Sequence, residues 1–311
     1  MQSFEPAYIE TFRQGLLKVK IKKAYQVLNT CTLCPRKCEV DRISGQTGIC
    51  KTGKEAVVSS YNAHFGEEAP LVGRKGSGTI FFTHCSLLCV FCQNYDISHE
   101  GLGSEISTEQ LARIMLHLQN SGCHNINFVT PSHVVPQILA ALETAIPEGL
   151  RVPLVYNSSG YDRVESLRLL DGIVDIYMPD FKFWDTDIAA KACDAKDYPD
   201  IARKAIKEMH RQVGDLVTDK SGIARRGLLI RHLVLPDNLA GTRQVMKFIA
   251  GNISLNSYVN IMSQYRPCGR AAEIGALSAP LSQKDFQLAL KAAQDEGITR
   301  IDSPRRVFML W

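Results

Sequence analysis

The run Thr79-Ile80-Phe81-Phe82-Thr83-His84-Cys85-Ser86-Leu87-Leu88-Cys89-Val90-Phe91-Cys92-Gln93-Asn94 carries the reading of the fold. Its first four residues are an apolar stretch of strand type, and three cysteines follow at once in C-x3-C-x2-C spacing. Three thiolates thus stand on one short loop at a strand end. A [4Fe–4S] cube usually takes four cysteine ligands, so three leave one iron free to bind something else. The alternative is a zinc or structural cluster site. Zinc prefers a closed set of four ligands, and no fourth cysteine follows closely.

Outward from this run, apolar segments of strand length alternate with longer segments of helical period. Strands are expected near 78–83, 125–130, 153–157, 174–179, 228–235 and 257–263. Helices are expected at 107–121, 133–145, 162–171, 186–212 with a break at Pro199, 240–251 and 282–296. Such alternation predicts a parallel sheet with right-handed crossovers. Six strand–helix units are two fewer than a closed (β/α)8 barrel requires. The fold class is therefore α/β, either a partial (β/α)6 TIM-type barrel or a doubly wound open sheet. No glycine-rich dinucleotide turn follows the first strand, because cysteines occupy that loop. Residues 1–28 read as a helical lead-in and 29–76 as loop-like. The expected division is an N-terminal Cys-rich extension over 1–76 and a barrel over 77–311.

Composition sets the outer bounds. At 311 residues with 45% hydrophobic and 22% charged side chains, the chain is an ordinary globular protein with room for a full core. A net charge of +4 is too small to argue for nucleic acid or a membrane surface. The start lacks a charged leader followed by an apolar run, and no uncharged apolar stretch approaches the length of a membrane span. A cytoplasmic location is expected. Seven of the ten cysteines fall between Cys31 and Cys92. In a chain that is neither small nor signal-bearing, this clustering favours metal ligation over disulfides. Cys123, Cys193 and Cys268 stand apart in sequence.

The first group comprises Cys31, Cys34, Cys38 and Cys50, with glycines that permit tight turns. Four thiols within twenty residues can close around Zn²⁺ or a second [4Fe–4S] cluster. In parallel barrels chemistry gathers at the C-terminal ends of strands. At the sixth exit, Gln264, Tyr265 and Arg266 are expected to face substrate, with Arg266 able to pair with a carboxylate or phosphate. Cys268 reads as a radical relay, a ligand or an inert loop thiol. At the second exit Ser132 is expected to cap the next helix and His133 to lie on the rim. Glu67 and Glu68 either close the lower side of the site or belong to a solvated loop.

The cysteine loop, with Phe91 before the third cysteine, resembles the radical S-adenosylmethionine (radical SAM) superfamily. Residues 30 to 300 are similar more narrowly to the pyruvate formate-lyase activating enzymes, in the branch with an added N-terminal cysteine group. The resemblance implies a partial barrel open on one side. It implies that Cys85, Cys89 and Cys92 hold a [4Fe–4S] cluster whose free iron chelates S-adenosylmethionine. One electron then yields a 5′-deoxyadenosyl radical for hydrogen abstraction.

Several site residues enter with the resemblance. Cys92-Gln93-Asn94 matches the extension of the cluster loop, giving Asn94 a cofactor role. Met178-Pro179-Asp180-Phe181-Lys182 matches an Asp-x-Lys element, in which Lys182 approaches the cofactor carboxylate and Asp180 helps hold a monovalent cation. Arg231, with Leu235 after it, matches a cofactor-contacting strand. Asn157 and Ser158 begin a run that stands where relatives have Asp-Thr-Asn-Gly and shape the cofactor site; Asn157 replaces the carboxylate, a departure that weighs against the cation. Thr130 and Pro131 replace a Gly-Gly-Glu whose main chain meets the cofactor's amino group. The resemblance also implies a low-potential donor, flavodoxin or ferredoxin, and a glycyl radical enzyme as partner. Chemistry on a small molecule, nucleoside or peptide is the second reading, and a non-catalytic iron–sulfur protein the third.

Overall fold

The computed structural model describes residues 4–302, so residues 303–311 of the expected barrel segment lie outside it. Nine strands form the sheet: β1 (Ala56–His64), β2 (Ser77–Phe82), β3 (Ser104–Ile106), β4 (Ile126–Val129), β5 (Leu154–Ser158), β6 (Ile176–Pro179), β7 (Val217–Thr218), β8 (Ala224–Leu233) and β9 (Tyr258–Met262). The helices are α1 (Ala7–Arg13), α2 (Leu16–Gln26), α3 (Ala69–Val72), α4 (Thr108–Asn120), α5 (Val135–Ala145), α6 (Val164–Leu169), α7 (Thr186–Cys193), α8 (Tyr198–Val213), α9 (Thr242–Asn252) and α10 (Gln283–Asp295).

Strands β2, β4, β5, β6, β8 and β9 pair in parallel, each with the one before it. A doubly wound sheet reverses strand order at a switch point; this one never reverses. The architecture is a partial (β/α)6 barrel that does not close among the described residues. All six expected strands are present. The expected break near Pro199 is also present, with α7 ending at Cys193 and α8 starting at Tyr198.

The loop-like reading of 29–76 needs correction. Residues 56–64 form β1, antiparallel to β2, so sheet hydrogen bonds cross the 76/77 division. Strand β1 lies between β2 and β3, and its C-terminal half faces solvent, which dilutes the apolar alternation that marks a strand in sequence. β3 pairs on its far side.

Period-two alternation sorts the barrel's two faces. Phe82, Phe128, Tyr156 and Tyr177 point outward into the buried layer beneath the helices. Val155, Ile176, Met178 and Leu229 point inward, where Leu71 of α3 plugs the lower end. Above this apolar floor the same inward columns turn polar, at Asn157, Asp180 and Arg231. Helix α1 packs at the N-terminal ends of β5 and β6: Thr11 donates to Gly172 O at 2.6 Å, Tyr8 to Val152 O at 2.9 Å, and the Ala7 amide to Asp175 at 2.8 Å. No helix among the described residues is long and apolar enough to cross a membrane.

Candidate active site

Cys85, Cys89 and Cys92 line one cavity of about 1140 Å³, its open mouth included, at the C-terminal ends of the strands. Their loop leaves β2 through His84 at φ 66° and turns again at Leu88, φ 56°. Main-chain and side-chain donors face the sulfurs. The Leu87 amide lies 3.3 Å from Cys85 Sγ, and the Ser98 hydroxyl 3.1 Å from Cys92 Sγ. Phe91 is buried, edge-on to Phe183 and Tyr265, and the Val90 amide donates to Ala192 O at 2.9 Å.

A fourth thiol, distant in sequence, stands beside this loop. Cys193 Sγ donates to Cys89 Sγ at 3.4 Å from the end of α7. Cys193 therefore does not stand apart in the fold. Its hydrogen bond draws the Cys89 thiol below the ordinary range despite burial, whereas burial pushes Cys85 up to about 12.

The wall opposite is charged. Asp180 Oδ2 accepts from Lys182 Nζ at 2.6 Å, and Oδ1 from Arg231 Nε at 2.8 Å. Burial opposes ionisation of Asp180, but the two cations outweigh it and hold the carboxyl below its usual range. Arg231 also donates to Asn157 Oδ1 at 2.7 Å and pairs with Glu67 at 3.4 Å. Burial raises the Glu67 carboxyl, with Arg231 opposing. Of these charged groups Asp180, Lys182 and Arg231 line the cavity, and the two cationic side chains there suit a carboxylate entering it. Tyr198 fixes the backbone of this wall: its hydroxyl accepts the Lys182 amide at 2.8 Å and shares its single proton between the carbonyls of Ser159 and Asp180, at 2.9 and 3.0 Å.

The remaining expected residues divide. Asn94, Thr130, Ser158 and Gln264 line the cavity. Thr130 adopts φ 60°, and its amide donates to Asn157 O at 2.9 Å. Pro131 and Leu235 are buried and do not line the cavity. Tyr265 is buried behind the cavity, its hydroxyl donating to Leu277 O at 2.5 Å, so its phenol does not face substrate. Arg266 is exposed, and the Cys268 thiol turns back to Arg266 O at 3.3 Å; neither lines the cavity.

Two second-exit expectations also need correction. His133 is buried rather than on the rim: its Nε2 donates to Thr83 O at 2.9 Å, and a carbonyl can only accept. Ser132 does not cap α5, whose N-cap is Val134 with no side-chain cap.

A protein of Methanocaldococcus jannaschii described as uncharacterized is 33% identical over 294 residues, which cover 92% of this chain and 80% of that one. The family described as the radical SAM superfamily matches residues 79–221. The chain belongs to the radical SAM superfamily. Membership implies cleavage of S-adenosylmethionine at an iron–sulfur cluster, fed by a one-electron reductant. Among solved structures, HydG, a maturase of the [FeFe]-hydrogenase, is similar with a TM-score of 0.48 and 12% identity, over 72% of this chain and 49% of HydG. The chain spans about half the length of HydG, and at this distance the likeness carries no further argument.

The residues fit the superfamily's cofactors by donor chemistry. Three thiols on a loop lined with N–H and O–H donors suit a cluster with one open iron. The Asp180–Lys182–Arg231 wall suits a carboxylate. Among the described residues no three His, Cys, Asp or Glu side chains gather around a single point; residue type and the shared cavity carry the fit.

The N-terminal thiols share a separate, smaller cavity. Cys31, Cys34, Cys38 and Cys50 line it with Arg42 and His133. Arg42 is buried, its Nη1 donating to His133 O at 2.9 Å and lying 3.9 Å from Cys31 Sγ. The Ile49 amide lies 3.4 Å from Cys38 Sγ.

Sequence reading missed Arg36, Arg42, Cys193 and Tyr198. Each acts across a long sequence gap, and no local spacing marks such a contact.

Proposed function

We propose that the chain is a radical SAM enzyme of the activating-enzyme type, acting on a glycine of a partner protein. When bound, S-adenosylmethionine and the cluster supply a carbon-centred radical that abstracts hydrogen. One observation carries the reading: the three thiols share one cavity with the Asp180–Lys182–Arg231 wall. Lys182 and Arg231 orient an anionic cofactor end there. Cys85, Cys89 and Cys92 hold iron, and the Cys193 thiol donates to Cys89. Gln264 stands at the mouth, where Gln93 Nε2 donates to its carbonyl at 3.0 Å. The open barrel admits a peptide loop.

The proposal includes flavodoxin or ferredoxin as donor, a cytoplasmic setting, and a metal across Cys31, Cys34, Cys38 and Cys50. All ten cysteines are unpaired in the fold, in keeping with metal ligation. Zn²⁺ and a second cluster both satisfy four thiolates, and metal analysis of Cys31→Ala separates them.

The test is anaerobic incubation of the reduced, reconstituted protein with candidate partners. A glycyl doublet by electron paramagnetic resonance is expected; its absence with 5′-deoxyadenosine still formed counts against a protein substrate. A second reading has its own observation. Asn157 and Asp180 both engage Arg231, so a side chain fills the place that the resemblance gives to a monovalent cation. This departure favours a small molecule, nucleoside or peptide as substrate. Product formed in proportion to 5′-deoxyadenosine without a protein partner would establish it.

A further inference from the structure

One guanidinium joins the two thiol loops. Arg36 lies between Cys34 and Cys38 in sequence, and its side chain reaches out to the catalytic loop. Nε donates to Ser86 O at 2.8 Å and Nη2 to Leu87 O at 3.2 Å, both between Cys85 and Cys89. The same group donates to Cys193 O at 2.7 Å and Asp194 O at 2.5 Å, at the end of α7. A guanidinium has five N–H donors in a rigid fork; this one commits to four main-chain acceptors. The Tyr161 ring lies 5.5 Å from it on one face.

The gripped turn is one that needs support. His84 and Leu88 bracket Ser86 and Leu87, and both sit in the left-handed region. Such residues are strained and persist where their surroundings over-determine them. The Arg36 loop is itself unusual, with Lys37 at φ 43° and Glu39 at φ 58°. Its anchor is therefore only as firm as whatever closes the four thiols. A second tie runs parallel, from Arg42 to His133 O and from His133 to Thr83 O, at the entry to the catalytic loop.

We propose that the N-terminal thiol group is an assembly brace for the catalytic cluster: with metal across Cys31, Cys34, Cys38 and Cys50, Arg36 holds the Cys85–Cys89 turn and Cys193 in the arrangement that accepts iron. Arg36 is thus a positioning residue, and the inference rests on the cluster and metal sites proposed above.

The test compares full-length wild type with Arg36→Ala, Arg36→Lys and Cys31→Ala after anaerobic reconstitution with iron and sulfide. Three quantities are read: metal content, release of cluster iron to a chelator, and amide hydrogen exchange over residues 83–92. The metal lost in Cys31→Ala defines the share of the N-terminal site. Arg36→Ala should keep that share, release cluster iron about tenfold faster, and exchange faster over 83–92; tenfold corresponds to about 1.4 kcal/mol. Cys31→Ala should reproduce both accelerations, and Arg36→Lys should fall between. Wild-type release and exchange in Arg36→Ala overturn the proposal. If Arg36→Ala does not fold by circular dichroism, the other two variants decide by the same rates, and wild-type values in both overturn it. A wild type that binds no cluster defeats the proposed catalytic site instead, and exchange alone then judges Arg36.

Discussion

The two cysteine loops of this chain differ by one thiol and by what surrounds it. The N-terminal loop presents four, Cys31, Cys34, Cys38 and Cys50, around a small cavity, with the buried Arg42 beside them. The second loop presents three, Cys85, Cys89 and Cys92, on the wall of a large open cavity, opposite a carboxylate held by two cations. Four thiols can satisfy a metal and shut it off; three cannot, and the open coordination position is where a substrate-like ligand binds. Ligand count and access would therefore separate a structural metal at the first loop from a reactive one at the second, as proposed above. The neighbouring charges agree. Arg42 can offset a tetrathiolate's negative charge, whereas Lys182 and Arg231 line open space into which the carboxylate end of a ligand could reach.

The sharpest way to break this comparison is to remove a thiol from each side. Cys89→Ala should abolish the iron–sulfide chromophore of the catalytic site, while freshly reconstituted Cys31→Ala should keep that chromophore and lack the N-terminal metal. Parallel iron, sulfide and zinc analysis checks both, and equal losses in the two variants would erase the distinction.

Next in size is Asp180→Asn, which leaves Lys182 and Arg231 without their shared counter-charge. Stripping one partner from a buried ion pair costs about 3–5 kcal/mol, so the denaturation midpoint should drop sharply. S-adenosylmethionine should also fail to perturb the electron paramagnetic resonance signal of the reduced cluster.

A smaller effect sharpens the catalytic side. Hydrogen bonds to cluster sulfurs help set reduction potential, and Cys193 supplies one to Cys89. Cys193→Ala should make the midpoint potential more negative, Cys193→Ser should restore most of it, and a redox titration would detect the pair of shifts. An unchanged potential in both would leave Cys193 as packing alone.

The smallest effect belongs to a control outside both loops. His232 is buried, with Nδ1 donating to Phe181 O at 2.7 Å, and burial lowers its pKa to about 4 from 6.5. Between those values the unfolded chain binds a proton that the folded chain refuses. Its contribution to stability is therefore complete above pH 6.5 and declines as pH falls toward 4, by at most about 1.4 kcal/mol per pH unit. Urea unfolding of His232→Asn should show a shallower decline than wild type over that window, with metal content unaltered in both sites.

The sequence by itself determined the six parallel strands, the helices between them and both cysteine groups. These signals are local: period two against period 3.6, and ligands a few residues apart on one loop. Tertiary structure alone decided what meets the sulfurs. Cys193 lies 104 residues from Cys89, Arg36 reaches 50 residues to Ser86 and 157 to Cys193, and Glu67 reaches 164 to Arg231. It also turned Tyr265 and His133 inward, because a strand exit fixes where a residue starts but not which way its side chain packs. Long-range contacts leave no period in a sequence; they follow from strand order and from how helix ends dock on a loop, which only the folded chain specifies.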